Sequence, residues 1–423
     1  MRVFYGWWIV LAAFLNLFFS VGIVYYGFPV FYPSMVDALG LTRAQLTQGF
    51  LLGFVVAGLL FGLLAGILID RLGPRQVIRV GIWCVGLPLI LMGHMTRLWQ
   101  YYFLCIGEVF GYVLTGPIPN QVLISNWFRL KRGRAMGAAY LGLGMGGAVS
   151  PLLINHLIQG FGWRRAFELI GALILIVLFP VSQWITRSSP HDLNLLPDGI
   201  SPAAPASGRE SGVRISVAQA VYTINFWLIV AGCTFTIGAI GAVMQHLILF
   251  LTGEGYSLGG ASRVSSALLV SSLAGRVIVG YFADSYSRKN VMALFYLLLG
   301  LAIPLLLAAP RPAAVWGFAL LFGFAMGADY MLIPLVTADC FGLSALGKLL
   351  SLIIMGYSLG QWLGPWLAGR IFDTYHTYNP AWIAMSVAAV VGSALIYAIR
   401  PDRQTAVHNR RGPATLAGQT RNV

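Results

Sequence analysis

Apolar runs long enough to cross a lipid bilayer recur along nearly the whole of this 423-residue chain, and they exclude a fold built around one water-facing core. A helix needs ~20 apolar residues to span a ~30 Å hydrocarbon layer. Runs bounded by charge or by Pro/Gly clusters lie near 7–30, 46–69, 77–95, 101–125, 135–158, 166–185, 220–251, 262–283, 291–309, 314–337, 348–369 and 380–399, which predicts twelve transmembrane helices. With 58% hydrophobic and 9% charged residues the chain has too little polar surface for a soluble domain. The expected class is therefore an all-α membrane protein. The first run begins at Gly6 behind Arg2 and continues past Phe28 without an A-x-A-like site, so it reads as a retained span rather than a cleaved signal.

Six runs precede and six follow a segment, 186–218, that carries Ser188, Ser189, Pro190, Pro197, Pro202, Pro205, Gly208 and Gly212. Such a composition buries no core and needs no fixed structure. The expected division is a first bundle over 1–185, a cytoplasmic linker over 186–218, a second bundle over 219–400 and a polar, basic tail over 401–423. If the N-terminus is cytoplasmic, nineteen of the 27 Lys and Arg fall on the inside, seven on the outside, and Arg276 alone lies within a span. The positive-inside bias then places both termini in the cytoplasm. It also accounts for the net charge of +14 through anionic lipid headgroups, so no nucleic-acid partner is expected.

Cys84, Cys105, Cys233 and Cys340 fall in or at the end of apolar runs without metal-ligand spacing or a paired extracellular arrangement. Neither a disulfide framework nor a metal site is indicated. No Walker-type phosphate loop or catalytic triad is evident, so the sequence predicts no cofactor, no catalytic residue and no enzymatic or ATP-driven role.

One motif occurs twice. Between spans two and three the chain reads Gly66-Ile-Leu-Ile-Asp70-Arg71-Leu-Gly73-Pro74-Arg75, and between spans eight and nine Gly280-Tyr-Phe-Ala-Asp284-Ser-Tyr-Ser-Arg288-Lys289. The aspartates are 214 residues apart, about half the chain. A Gly one turn before Asp lets two helices approach, and Asp at a helix end bonds free backbone N–H groups and pairs with following cations. Asp70, Arg71, Arg75, Asp284 and Arg288 are thus expected to form a cytoplasmic gate, a charged latch between two helical bundles that closes an outward-facing state.

With these residues the sequence resembles the major facilitator superfamily, whose loop Gly-x-x-x-Asp-Arg-x-Gly-x-Arg is matched by Gly66, Asp70, Arg71, Gly73 and Arg75. The resemblance covers essentially the whole chain and implies two pseudo-symmetric six-helix bundles. Within that superfamily it resembles the branch of monocarboxylate transporters and oxalate:formate antiporters. The supporting segments are Tyr5-Gly6-Trp7-Trp8, Asn126-Trp127-Phe128, Arg132-Gly133-Arg134-Ala135 with Gly137, Gly142, Gly144, Gly146 and Gly147, then Gly162-Trp163-Arg164, and His246-Leu-Ile leading to Gly255. The glycines of span five permit close helix contact, and a surface that slides during transport is compatible with that packing.

Arg276 lies eight residues before Asp284, ~12 Å from the end of its helix at 1.5 Å per residue. A guanidinium at that depth costs ~2.5 kcal/mol or more unless it faces water or a carboxylate. Its planar fork matches a small carboxylate, and the position one turn earlier is Ser272 rather than an anion. Substrate recognition and a permanent ion pair are the two readings. The resemblance implies the first, since an arginine of the eighth span binds substrate carboxylate in that branch. Two departures matter: mammalian monocarboxylate carriers have an aspartate at the place of Ser272, and span eleven lacks the lysine that oxalate carriers use, Lys348 standing at its entrance instead. The proton scheme therefore does not transfer, and one substrate carboxylate is favoured over two.

Asp329, ten residues before Asp339, sits ~15 Å deep, near the level of Arg276. It is expected to pair with Arg276 in the empty site and to release it on taking a proton. Glu108, near the middle of span four, is either a proton site or a carboxyl capped by neighbouring hydroxyls. His246 is either a packing residue or, as the family's histidine before the seven-eight loop implies, a donor to an anion. Glu254 is a candidate outer gate or proton entry point, or simply a solvated loop charge. Pro117 and Pro119 interrupt span four beside Asn120, and Pro334 interrupts span ten beyond Tyr330; prolines free carbonyls where a helix lines a cavity. Asn120, Tyr330 and Tyr357 are accordingly candidate substrate contacts, whereas Tyr25 and Tyr26 read as interfacial aromatics.

Taken together these features predict a secondary active transporter of a small, lactate-like monocarboxylate, coupled to a proton, working by alternating access as a monomer in a bacterial inner membrane. Its partners would be a small organic anion, a proton and the bilayer. A proton-independent anion exchanger or efflux carrier is the alternative transport reading, and a transporter-like ligand sensor is the alternative of another class.

Overall fold

In a computed structural model the chain is described over residues 4–49, 52–53, 56, 68–69, 71–128, 131–197, 217–327, 329–342 and 346–400; of 132–133, 280–281, 283–285, 329–331, 346–347 and 351 only the backbone is described. The elements of the described residues are helical. Eight helices among these residues are long and apolar enough to span a membrane. The expectation of an all-α, multi-pass membrane protein is met at that level.

The first crossing is compound. Helix α1 (Gly6–Leu17) continues as a wide π-helical stretch Phe18–Tyr25, a tight turn Phe28–Phe31, and α2 (Tyr32–Leu39). After it come α3 (Pro74–Met92), α4 (Leu98–Thr115), α5 (Pro117–Trp127) and α6 (Arg132–Pro180). Within α6, Gly162 has φ +80°, a reversal that L side chains resist, and it separates the two runs expected as spans five and six. The second half of the chain holds α7 (Val217–Val221), α8 (Ile224–Gly253), α9 (Leu258–Ser285), α10 (Arg288–Ala302), α11 (Pro312–Met326), α12 (Asp329–Phe341), α13 (Leu346–Tyr375) and α14 (Asn379–Ala398).

Small residues decide which helices touch. On α6, Gly142 and Gly146 lie one turn apart, and a Cβ on either would strike the backbone of the first crossing at Phe14 and Phe18. Both positions have a counterpart 218 residues further on: Gly360 and Gly364 of α13 lie equally close to the backbone of α8 at Thr234 and Gly238. Such contacts bring backbones together where lipid offers no hydrophobic driving force. Gly144 looks the other way, toward Leu273 of α9 in the second half of the chain, and Gly147 sits between Tyr26 of the first crossing and Leu269 of α9. The glycine run of span five therefore serves two surfaces at once.

Two ends of the bundle can be told apart. At one end the Tyr5 hydroxyl donates to the Ile185 carbonyl (2.8 Å), and Asn225 and Lys289 donate to Arg400 and Ile399 carbonyls (2.8 and 2.6 Å). This is the terminal end. The start of the Pro/Ser-rich segment is ordered here, contrary to expectation: Trp127 and Asn126 donate to the carbonyls of Arg187 (2.9 Å) and Ser188 (3.0 Å), and Ser189 caps a short turn over Pro190–Leu193. Those donors satisfy a backbone that composition alone leaves unpaired. At the opposite end, the first half is stitched to the second by Arg43 to Leu249 O (3.1 Å), Ala44 N to Asp373 Oδ2 (3.3 Å) and Tyr32 to Gln245 Oε1 (2.8 Å), with Gln361 donating to Tyr25 deeper in.

Candidate functional site

Arg276 stands where the two halves of the chain meet. It is half-buried on α9 and close to Gly144 of α6: a Cβ there would lie 3.5 Å from Nη1 and would strike the Leu273 side chain that packs between. Tyr140, one turn earlier on α6, is close enough to interact electrostatically with the guanidinium, and its hydroxyl accepts from Gln121 Nε2 of α5. A cationic fork, a phenol and an amide thus come from three helices into one neighbourhood. Among the described residues no carboxylate pairs with Arg276. A guanidinium in this setting can hold a carboxylate through two parallel hydrogen bonds.

Asp329 begins α12, and its side chain, like that of Tyr330, lies outside the described residues. The helix backbone does bring the two elements together, since a Cβ on Gly327 would lie 2.7 Å from the Arg276 nitrogen. Pro334, expected to interrupt span ten, is accommodated inside α12.

Span four breaks where its prolines place the break. Gly116 leaves helical geometry (ψ −149°) and Pro117 starts α5. Asn120 is fully buried, and its amide nitrogen donates to the carbonyls of Thr115 and Gly116 (both 2.7 Å) while its oxygen accepts from Asn16 (3.2 Å). These bonds occupy both N–H groups, so Asn120 repairs the helix break and has no donor to spare for a ligand. The substrate contact expected of it is not what this geometry provides.

Glu108 is completely buried on α4, and neither carboxyl oxygen has a hydrogen-bond partner. The hydroxyl caps expected as one of its two readings are therefore missing. An ionised carboxylate left in this condition costs several kcal/mol, because neither charge nor hydrogen bond compensates the lost water.

His246 is equally buried but fully satisfied. Its Nε2 is 2.9 Å from the Pro365 carbonyl and its Nδ1 2.9 Å from the Tyr378 hydroxyl. The carbonyl only accepts, which assigns the proton to Nε2 and leaves Nδ1 to accept from Tyr378. Neither nitrogen faces an anion, and the packing reading fits. Glu254 caps α8 in the exposed loop before Gly255. Tyr357 is half-buried on α13 against the core.

The expected latch is seen only in part. Asp70 and the side chain of Asp284 lie outside the described residues, and Arg71 is exposed. Arg75 donates to the carbonyls of Ser182 (3.3 Å) and Gln183, and Arg288 pairs with Asp339 at 2.6 Å. Both contacts tie a loop to its own half rather than to the other. The helix end at 181–185 leaves carbonyls free one turn from Arg75, which explains its choice.

Several residues escaped the sequence reading. Tyr25 and Tyr26 are buried rather than interfacial, and Tyr25 stacks edge-on against Tyr26 (5.0 Å between centroids) at the π-helical stretch. Gln121, Gln245 and Gln361 carry no charge, and uncharged amides inside apolar runs draw less notice than ions although the bilayer penalises them too. Arg43 reads as an outside loop charge, yet it sits 3.7 Å above the Phe372 ring and 5.3 Å from that of Tyr378.

Comparison with known proteins agrees with the fold. The chain is 26% identical over 399 residues to monocarboxylate transporter 13 of Bos taurus, covering 93% of this chain and 88% of the relative. It is 24% identical over 353 residues to monocarboxylate transporter 12 of Rattus norvegicus, covering 77% and 72%. Among solved structures it is similar to a bacterial homolog of the human lysosomal transporter Spinster, with a TM-score of 0.70 at 16% identity over 98% of this chain and 100% of the other. It is also similar to the nucleoside transporter NupG, with a TM-score of 0.68 at 15% identity over 94% and 100%. The family profile of the Major Facilitator Superfamily matches residues 13–277 and 255–418. This chain belongs to the Major Facilitator Superfamily and is a transporter.

Proposed function

We propose that the protein carries a small monocarboxylate such as lactate, together with a proton, by alternating access. In this reading twelve spans form two pseudo-symmetric six-helix bundles joined by 186–218, both termini are cytoplasmic, and the protein acts as a monomer in a bacterial inner membrane. The glycine contacts repeated at an interval of 218 residues support the symmetry. The observation that carries the cargo is Arg276: a cation at the junction of the two halves, beside Tyr140 and Gly144, with no described carboxylate to neutralise it. The monocarboxylate transporters among its relatives support the same class. Two bundles rocking about a site at their junction would expose it to either side in turn. Asp329 remains the proposed partner of the empty Arg276, and Asp70 with Asp284 the proposed latch of the opposite conformation.

Purified protein in liposomes tests this directly. An inward proton gradient should drive uptake of labelled L-lactate and alkalinise the outer medium. Losing the charged hydrogen bonds is worth about 1.5–3 kcal/mol, so Arg276→Ala should weaken L-lactate binding ten- to a hundredfold, and Arg276→Lys, which lacks the fork, should not restore it. Wild-type uptake of L-lactate by Arg276→Ala would reject the assignment.

A further inference from the structure

Glu108 has a neighbourhood that the substrate site does not use. Glu108 interacts electrostatically with Tyr32 of α2 and, on its own helix, with Tyr101 and Cys105. Packed against α4 from α3 is Cys84, at the contact with Gly111; from the second crossing come Gly49 and Gly53, which meet Tyr101, Cys105 and Val109. No cation among the described residues faces it. Both nearby hydroxyls are already spent: Tyr101 donates to the Leu46 carbonyl (2.6 Å), and Tyr32 donates to Gln245 Oε1 (2.8 Å). The second of these bonds is one of those that join the halves at the end opposite the termini.

We propose that Glu108 is a proton-binding site and that its proton holds this end closed. The proposal rests on the proton-coupled reading above. A neutral carboxyl tolerates full burial and leaves the Tyr32 hydroxyl with Gln245. An ionised carboxylate is a stronger acceptor than a neutral amide, because a hydrogen bond to a charged oxygen is roughly twice as strong. On losing its proton Glu108 competes for the Tyr32 hydroxyl, the bond to Gln245 is given up, and water reaches the carboxylate through the parted seam. Uptake of a proton from that side reverses the sequence and closes the seam. The proton then leaves toward the terminal end when the halves part there. One carboxyl thus links protonation to the closure of one end.

Spin labels on Asp37→Cys and Tyr375→Cys, exposed positions on the two sides of the seam, report its opening in detergent or liposomes without any substrate. Cys84→Ala removes the one native thiol that is not fully buried. Raising the pH should shift the pair from a short to a longer separation and lower the short-to-long ratio about tenfold. Glu108→Gln should keep the short separation at every pH, Glu108→Asp should retain the shift, and Tyr32→Phe should abolish it. A wild-type shift in Glu108→Gln, or no shift in the unsubstituted protein, would overturn the proposal. Failure of L-lactate uptake alongside a Glu108-dependent shift would reject the cargo only, whereas pH-driven L-lactate uptake that survives in Glu108→Gln would reject the proton site only.

Discussion

His246 and Arg276 look alike in the sequence, each a polar residue inside an apolar run, and the structure separates them by what they touch. Both nitrogens of His246 are engaged, with partners 119 and 132 residues away. Distances of that kind are invisible to local pattern, which is why the histidine could be flagged but not assigned. Removing it strands the Tyr378 hydroxyl and an extra acceptor site on Pro365, and a buried group left unsatisfied costs about 1–3 kcal/mol. His246→Ala should therefore lower the thermal midpoint followed by tryptophan fluorescence while leaving L-lactate affinity within about twofold of wild type. A large loss of affinity at unchanged stability would return His246 to the substrate site. Arg276 was legible because depth along one helix is a local quantity, whereas Tyr140 and Gln121 beside it come from other helices and were not.

Among the elements, the long apolar runs gave most of the helices their place, and glycine and proline punctuation gave part of the rest. Pro117 marked a true break because Asn120 stands one turn on to satisfy the freed carbonyls. Pro334 marked none, since it lies inside α12. The two-sided glycine run of α6 was legible as packing, but not which glycine meets which neighbour. Two substitutions separate the faces. Gly146→Val forces a side chain onto the Phe18 carbonyl and the Gly22 backbone, which cannot yield, and overpacking of that kind costs about 1–3 kcal/mol or more. Gly144→Val meets the flexible end of Leu273 and adds bulk beside Arg276. Size-exclusion yield and thermal midpoint should fall for Gly146→Val, while Gly144→Val should fold normally and lose L-lactate uptake; the reverse pattern would assign the faces wrongly.

For the molecule as a whole, the sequence indicated a latch at the terminal end, and the described structure places its inter-half bonds toward the other end. Charge motifs advertise themselves, but a closure made from amides, phenols, one aromatic-caged arginine and one carboxylate that takes a backbone N–H does not. Arg43 makes several of its contacts. Its Nη1 donates to the Leu249 carbonyl at 3.1 Å, and its guanidinium lies against Phe372 and Tyr378. A cation over an aromatic face contributes ~0.5–2 kcal/mol and a charged hydrogen bond ~1.5–3 kcal/mol. An alternating-access equilibrium is balanced within a few kcal/mol, so losing even about 1.4 kcal/mol from one state changes the ratio of states tenfold. Arg43→Ala should therefore favour the conformation open at this end. Leu249→Cys places a thiol in the seam, where Leu249 is 2% exposed, and a water-soluble maleimide added from that side should label it about tenfold faster when Arg43 is also alanine. Equal labelling rates would show that the arginine is held by the seam without holding it shut, and closure would then rest on the Tyr32, Ala44 and Tyr25 bonds alone.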